Sequence, residues 1–457
     1  MLLLVQTNVA LWIFQLLILL LGCLFGYGNY DIQACTYCLI INYFLSFFIV
    51  NKYSYNQLNI PNFFLLGIGF LLLGKIFAWI LDSRIGTFRS LFCLDFFFTY
   101  CMEDNQIVSL ITFLNTTLLF FNLGFLLKFK RKFNFIYYDK ALDPKYKLLM
   151  PIMIFIGIYL IYNTFFLVLT TVNNGYMALF ASQAEVYEPP TAAILRSLLL
   201  GYIALLYAFK DKYRTNKLFI ILFSLFIVAM YLRILTGSRS YTISATILLI
   251  WVIFSSKKIT TLGYMLFLCL GLILVGFLNV IAQASGAREL ETGNNFLTSL
   301  SALFYSQGSS LLVLNTSITF EGNPSFLGLL KTLLPGIQVI YGFFDIRDRY
   351  LFDWSSNMIY FKDRDLYNQG YGLGWSVFSD LYYISFKNII FYFVLVMLLG
   401  VLINYILTQH KVYYKGLSLI LVYHIFSLPR DSISPLIFSC MMYSLIFFYF
   451  TKKKVNI

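Results

Sequence analysis

Long unbroken apolar runs recur along this chain and constrain its fold more than any other feature. They fall near 5–27, 33–50, 61–81, 107–127, 148–170, 191–209, 218–236, 241–255, 262–281, 387–408, 416–428 and 433–450. A helix that crosses a bilayer needs roughly 20 mostly apolar residues, and only helices or closed barrels satisfy every backbone polar group in lipid. Runs this long and continuous favour helices. The sequence therefore predicts an all-α polytopic bundle of about twelve spans, a single integral-membrane domain over residues 1–457. With 60% hydrophobic and 12% charged residues, the chain is too apolar for a soluble fold, in which charged residues usually make up about 25%. The first run has no basic leader or small-residue cleavage site, so it is expected to stay as a span.

The net charge of +13 would suggest nucleic acid in a soluble protein. Here most lysines sit in short connectors between spans, where they set orientation instead. Lys52, the group from Lys128 to Lys147, Lys210 to Lys217, Lys257 and Lys258, Lys411 and Lys415, and the tail Lys452 to Lys454 all fall on one side. That side is expected to be cytoplasmic, together with both termini. The seven cysteines scatter mostly through apolar runs without histidine neighbours, so neither a metal nor a cofactor is expected. Cys93 and Cys101 are placed to pair on the outward side, although the plainer reading leaves both as free thiols.

The opposite connectors are very unequal. Gly28–Ile32, Gly237–Ser240 and Pro429–Ser432 are tight turns, whereas the stretch from Gln283 to Trp375 is a large loop. A loop of that length within a compact protein is usually functional. Within it, Asn295–Thr316 shows helical patterning and Leu327–Leu334 reads as a short second helix before Pro335-Gly336. Ser376–Ser385 reads as a short or re-entrant helix ahead of the next span.

Arginine and lysine are sorted by side. The inward connectors hold seventeen Lys and only Arg131 and Arg214, whereas the outward ones hold Lys331, Lys362 and eight Arg. A chain that uses lysine wherever any positive charge will do has chosen its outward arginines for geometry. A guanidinium stays charged and donates bidentate hydrogen bonds to phosphate or carboxylate. Arg239 in Thr236-Gly237-Ser238-Arg239-Ser240 and Arg430 in Pro429-Arg430-Asp431-Ser432 lie level with helix ends, and Arg288 closely follows a span. Ions placed so near lipid are functional candidates by default. His424, one turn inside its span, reads first as a packing histidine and second as a catalytic base. Asp380 is costly if buried, so it is either paired with an arginine or poised for chemistry.

These residues bring a family into view. Asn174-Gly175-Tyr176 opens an outward loop, Thr236-Gly237-Ser238-Arg239 forms a Gly-x-Arg turn, and Gly372-Leu373-Gly374-Trp375-Ser376 precedes Ser379-Asp380-Leu381-Tyr382. With the Pro429-Arg430-Asp431-Ser432 turn, the chain resembles the bacterial oligosaccharide repeat-unit polymerases known as Wzy. Its acidic position is Asp380, where the family more often has Glu.

The resemblance implies a metal-independent glycosyltransferase at the periplasmic face of the inner membrane that polymerises undecaprenyl-diphosphate-linked oligosaccharides into surface polysaccharide. Taken with the sorting of arginines by side and the placing of Asp380 and His424, it sets the expectation of catalytic roles for Arg239, Arg430, Asp380 and His424, and of substrate binding by Arg288, Arg347, Arg349, Tyr382 and Asp431, although the family's loop spacing of arginine and glycine is not matched around Arg347 and Arg349. The partners it implies are lipid-linked donor and acceptor, with a chain-length regulator and a flippase alongside. The rival readings are an O-antigen ligase, which transfers to a lipid A–core, and a lipid-linked oligosaccharide flippase or other transporter. For a flippase, charges lining mid-span are expected, and only Lys75, Arg196 and Arg233 qualify.

Overall fold

The computed structural model describes residues 2–51, 59–94, 100–127, 140–174, 190–210, 216–236, 239–254, 263, 271, 296–334, 336–337, 341, 348–368, 374–409 and 411–453. Its helices are α1 (Leu2–Cys23), α2 (Ile32–Asn51), α3 (Ile60–Gly67), α4 (Gly74–Leu81), α5 (Asp104–Leu126), α6 (Met150–Asn174), α7 (Pro190–Phe209), α8 (Asn216–Leu232) and α9 (Arg239–Phe254). The loop region supplies α10 (Phe296–Gln307), α11 (Ser310–Thr319), α12 (Phe326–Leu333), α13 (Arg349–Phe352), α14 (Trp354–Lys362) and α15 (Arg364–Asn368). After it come α16 (Val377–Ile384), α17 (Ile389–Thr408), α18 (Val412–Ile425) and α19 (Ser434–Phe450). Besides short π-helical and 3-10 turns there are two two-stranded ribbons, β1 (Cys93–Leu94) with β2 (Tyr100–Cys101) and β3 (Lys140–Leu142) with β4 (Thr451–Lys453).

Among the described residues, eight helices are long and apolar enough to cross a membrane, or nine when a bent pair is counted as one span. The chain is thus an all-α polytopic bundle. Eleven of the twelve apolar runs coincide with described helices, and the run at 262–281 lies outside the described residues. The loop helices depart from expectation in one respect: Leu297–Thr319 is itself long and apolar enough to cross.

The third run is not straight. Ile60–Leu72 and Gly74–Leu81 meet at 71°. Below the bend, Asn59 caps α3 by accepting from the Asn62 amide, and Pro61 stands in its first turn. Beyond it, α4 packs backbone to backbone on the junction of α10 and α11. A Cβ on Gly74 would lie 2.5 Å from the Phe304 carbonyl oxygen, and one on Gly308 2.2 Å from the Lys75 nitrogen. Only glycine permits that approach. The Ser301 hydroxyl ties the pair together by donating to the Ala78 carbonyl at 2.7 Å.

Helix association in lipid relies on close packing and interhelical hydrogen bonds, because apolar burial offers no gain over lipid contact. A buried amide cluster does this for α1, α2 and α5. Gln15 Nε2 donates to the Asn42 carbonyl and Ser46 Oγ, while Asn122 Nδ2 donates to Gln15 Oε1 and Ser46 Oγ.

The thiols of Cys93 and Cys101 are joined in a disulfide across the β1–β2 ribbon, which corrects the free-thiol reading. Antiparallel register places the two residues directly opposite one another, a relation that sequence spacing alone does not reveal. The strap also anchors a buried cation, since Lys75 Nζ donates to the Cys93 carbonyl at 2.7 Å and lies 4.5 Å from the Tyr305 ring centroid.

Candidate active site

The connector between α18 and α19 carries the Pro429-Arg430-Asp431-Ser432 turn. Helix α18 unwinds here through short bonds: the Ser427 and Leu428 amides donate to His424, and the Arg430 and Asp431 amides to Ser427. Pro429 lacks an amide hydrogen and cannot continue the helical ladder. The Leu428 carbonyl accepts from the Asp431 amide within the turn and from the Val377 amide at 2.9 Å, which docks the start of α16 on the turn.

Asp380, on the first turn of α16, is only 1% exposed. Its Oδ1 accepts from Trp375 Nε1 at 2.6 Å, and its Oδ2 accepts from the Ser432 hydroxyl at 2.7 Å and the Ile433 amide at 2.6 Å. Charge-assisted bonds of this kind contribute about 1.5–3 kcal/mol each, and a carboxylate at the start of α19 also suits the helix dipole. Burial pushes its carboxyl up to about 6, with the three donors pulling the other way. Asp380 therefore fastens the arginine-bearing turn through neutral donors, an arrangement that neither sequence alternative described.

On the turn, Arg430 donates from Nη1 to Gln307 Oε1 at 2.8 Å. Gln307 is 6% exposed and ends α10, so the loop helices hold the guanidinium from one side. Burial raises the Asp431 carboxyl, opposed by the Ser427 hydroxyl and the Arg430 charge.

A second group lies one helix turn away along α18. His424 Nε2 shares a hydrogen bond with the Ser439 hydroxyl at 3.0 Å, and Ser439 donates to the Ser197 hydroxyl at 3.3 Å. Next to Ser197, Arg196 of α7 places its guanidinium carbon 4.7 Å from the centroid of the Tyr241 ring. Arg233, in the 3-10 turn after α8, lies 4.3 Å from the same centroid. Both arginines are nine-tenths or more buried. Burying a guanidinium in a membrane bundle costs several kcal/mol unless its surroundings compensate, and the shared aromatic face contributes to that compensation.

Arg239 begins α9, two residues before Tyr241, and its side chain lies outside the described residues, as do Arg288, Arg347 and the Gly175–Tyr176 part of the Asn174 motif. Arg349 stands exposed at the start of α13. Tyr382 packs among Phe113, Tyr383 and Tyr392, two residues along α16 from Asp380 and therefore on a different helix face. Among the described residues, no three His, Cys, Asp or Glu side chains come together as a metal site would require.

Sequence reasoning missed Gln307, Tyr241 and Ser439, took Trp375 and Ser432 as motif residues without a role, and assigned Arg196 and Arg233 only to the transporter alternative. An arginine inside an apolar run was the available signal for the last two. Gln307 gave none, as a neutral amide on a helix already rich in Ser and Thr.

The sequence matches the family described as O-antigen polysaccharide polymerase Wzy over residues 9–451, nearly its whole length. This chain is a Wzy-family polymerase. No curated protein and no solved structure gives a match. As a member of the Wzy family it is a multi-pass membrane protein that polymerises O-antigen repeat units. In this Wzy chain the Arg430 turn and the Arg196–Tyr241–Arg233 group occupy neighbouring helix ends, with His424 between them in sequence and contact.

Proposed function

We propose that the chain joins undecaprenyl-diphosphate-linked oligosaccharides at the periplasmic face of the inner membrane. A hydroxyl of the acceptor sugar attacks the donor's anomeric carbon. The new carbon–oxygen bond forms as the bond to diphosphate breaks, and undecaprenyl diphosphate carries away the electron pair. Diphosphate is a weak base, so its departure calls for charge stabilisation more than protonation. The observation that carries this reading is the gathering of buried arginines, Arg196 and Arg233, beside the Arg430 turn in a bundle of apolar helices. Arg239, at the start of α9, adds to the same end. His424 is the candidate to take the hydroxyl proton: since Ser439 gives its hydrogen to Ser197, His424 Nε2 carries the N–H of their shared bond and Nδ1 is the nitrogen left to accept, whereas the oxygens of Asp380 are engaged in holding the turn.

Deleting the gene tests the reaction. A cell without the protein is expected to make lipid A–core bearing a single repeat unit, seen as one band on electrophoresis of extracted glycolipid. Core with no O-antigen sugar identifies a ligase instead, and a normal long ladder removes both readings.

Orientation is tested by labelling. In a variant whose free cysteines are replaced, Asn368→Cys in the loop is expected to react with a membrane-impermeant maleimide from the periplasm. Lys145→Cys in the lysine-rich connector should react only after the inner membrane is opened. The reverse pattern overturns the topology.

A further inference from the structure

Residues 348–368 build an aromatic surface that the transfer chemistry does not use. Tyr350 of α13 and Tyr360 of α14 stack with centroids 3.9 Å apart and planes 6° apart. Tyr367 of α15 stands edge-on to both, at 5.9 and 5.1 Å. The Tyr350 amide donates to the Tyr367 hydroxyl at 3.4 Å, and Asn357 Nδ2 donates to the Tyr350 carbonyl at 2.9 Å. Above Tyr360, the Arg364 guanidinium carbon lies 5.3 Å from the ring centroid. All three tyrosine rings are half-buried, and the neighbouring Phe361 is 64% exposed.

The rings stand on a fixed base. Trp354, Met358 and Ile359 bury the other face of α14, and Asp353 caps it by accepting from the Ser356 amide at 3.0 Å. Lys331 of α12 forms an ion pair with the same Asp353. An aromatic surface that is half in water and cannot collapse is suited to bind something.

Lipid is a poor occupant. The charged run Lys362-Asp363-Arg364-Asp365 borders the rings, with Arg364 and Asp365 both exposed, and carboxylates are unfavourable against an anionic bilayer. Sugars fit better. A pyranose presents C–H patches that lie on aromatic faces, and pairs of hydroxyls that match planar guanidinium, carboxylate and amide groups. Tyrosine offers a ring and a hydroxyl together, and Arg364, Asp365 and Asn368 supply the planar groups.

We infer that Tyr350, Tyr360 and Tyr367, with Arg364 and Asp365, form a saccharide-binding subsite that holds the glycan part of the growing chain. The inference rests on the function proposed above and adds a site distinct from the arginine groups. A polymer held here stays near the transfer site between additions, so the subsite contributes to processivity and not to bond formation.

The test uses the full-length protein in nanodiscs of zwitterionic lipid. The probe is a set of oligosaccharides of one to several repeat units, released by mild acid from the same cell's polymer and free of lipid and diphosphate. Wild-type protein is expected to bind them with a change in tryptophan fluorescence. Tyr350→Ala and Tyr360→Ala should weaken binding about tenfold, in line with the loss of an aromatic contact, while Tyr360→Phe should stay near wild type. Tyr360→Leu, which keeps bulk without a π face, should behave as alanine does and so separates stacking from folding. In cells, the alanine variants should still link units but with a shorter modal length. No binding by wild type, or binding by the alanine and leucine variants as tight as that of wild type, overturns the subsite. Arg430→Ala separates the two ideas: it should bind the free oligosaccharides as wild type does yet make no polymer. If it still polymerises while the tyrosine variants lose binding, the transfer-site reading fails and the subsite stands.

Discussion

Arg430→Ala is expected to abolish polymer formation while the protein remains inserted and at normal abundance. The guanidinium is held by Gln307 at 2.8 Å on a turn pinned by Asp380, so it is presented in one orientation. A leaving diphosphate that loses such a donor forfeits charge-assisted hydrogen bonds, an effect comparable to removing an oxyanion donor, about 10²–10³ in rate. Arg430→Lys should recover only part of it, because an ammonium keeps the charge without the fork. Arg84→Ala is the control, since that side chain is 75% exposed and engaged with Asp82. Full-length polymer from Arg430→Ala, or complete rescue by lysine, places the active site elsewhere.

Loss of the buried pair should be nearly as severe. Arg196→Ala and Arg233→Ala are each expected to lower the rate of repeat-unit coupling about 10²-fold, read with purified protein and lipid-linked repeat units. A purely structural role predicts a different pattern. It predicts loss of abundance and thermal stability along with coupling, whereas a ligand-binding role is marked by lost coupling in protein that is still inserted and at normal abundance. Tyr241→Phe should leave coupling intact, because the ring that faces both guanidiniums is retained, whereas Tyr241→Ala should resemble the arginine variants. Coupling at the wild-type rate in both arginine variants would remove the pair from the mechanism.

Much of the architecture was legible because lipid allows few solutions. Among the described residues the apolar runs became helices, and the patterned stretches near 295–316 and 327–334 became α10, α11 and α12. The short helix ahead of the last spans is α16, and the Arg430 turn lies where the sequence puts it, between two helix ends. The 71° break in the third run was hidden, because a helix that is apolar all round carries no face whose periodicity could show a change of direction. Gly74 was the local hint, and its meaning depends on Gly308, far away in sequence. The same distance conceals the Gln307–Arg430 bond and the two-sided approach of Arg196 and Arg233 to one ring. Asp380 was recognised as costly, but carboxylates are satisfied by neutral donors as readily as by arginine, and composition does not say which donors will arrive.

The disulfide strap has a bearing on when this protein becomes competent. Its carbonyl at Cys93 holds Lys75, whose helix meets the α10–α11 junction through Gly74 and Gly308, and α10 ends in the residue that holds Arg430. With the outward placement proposed above, the ribbon closes only after the segment has left the reducing cytosol for a compartment where thiols are oxidised. Completion of the arginine-holding scaffold is thereby ordered behind translocation of the 82–106 connector. A chain still in transit carries the arginines without the frame that aims them.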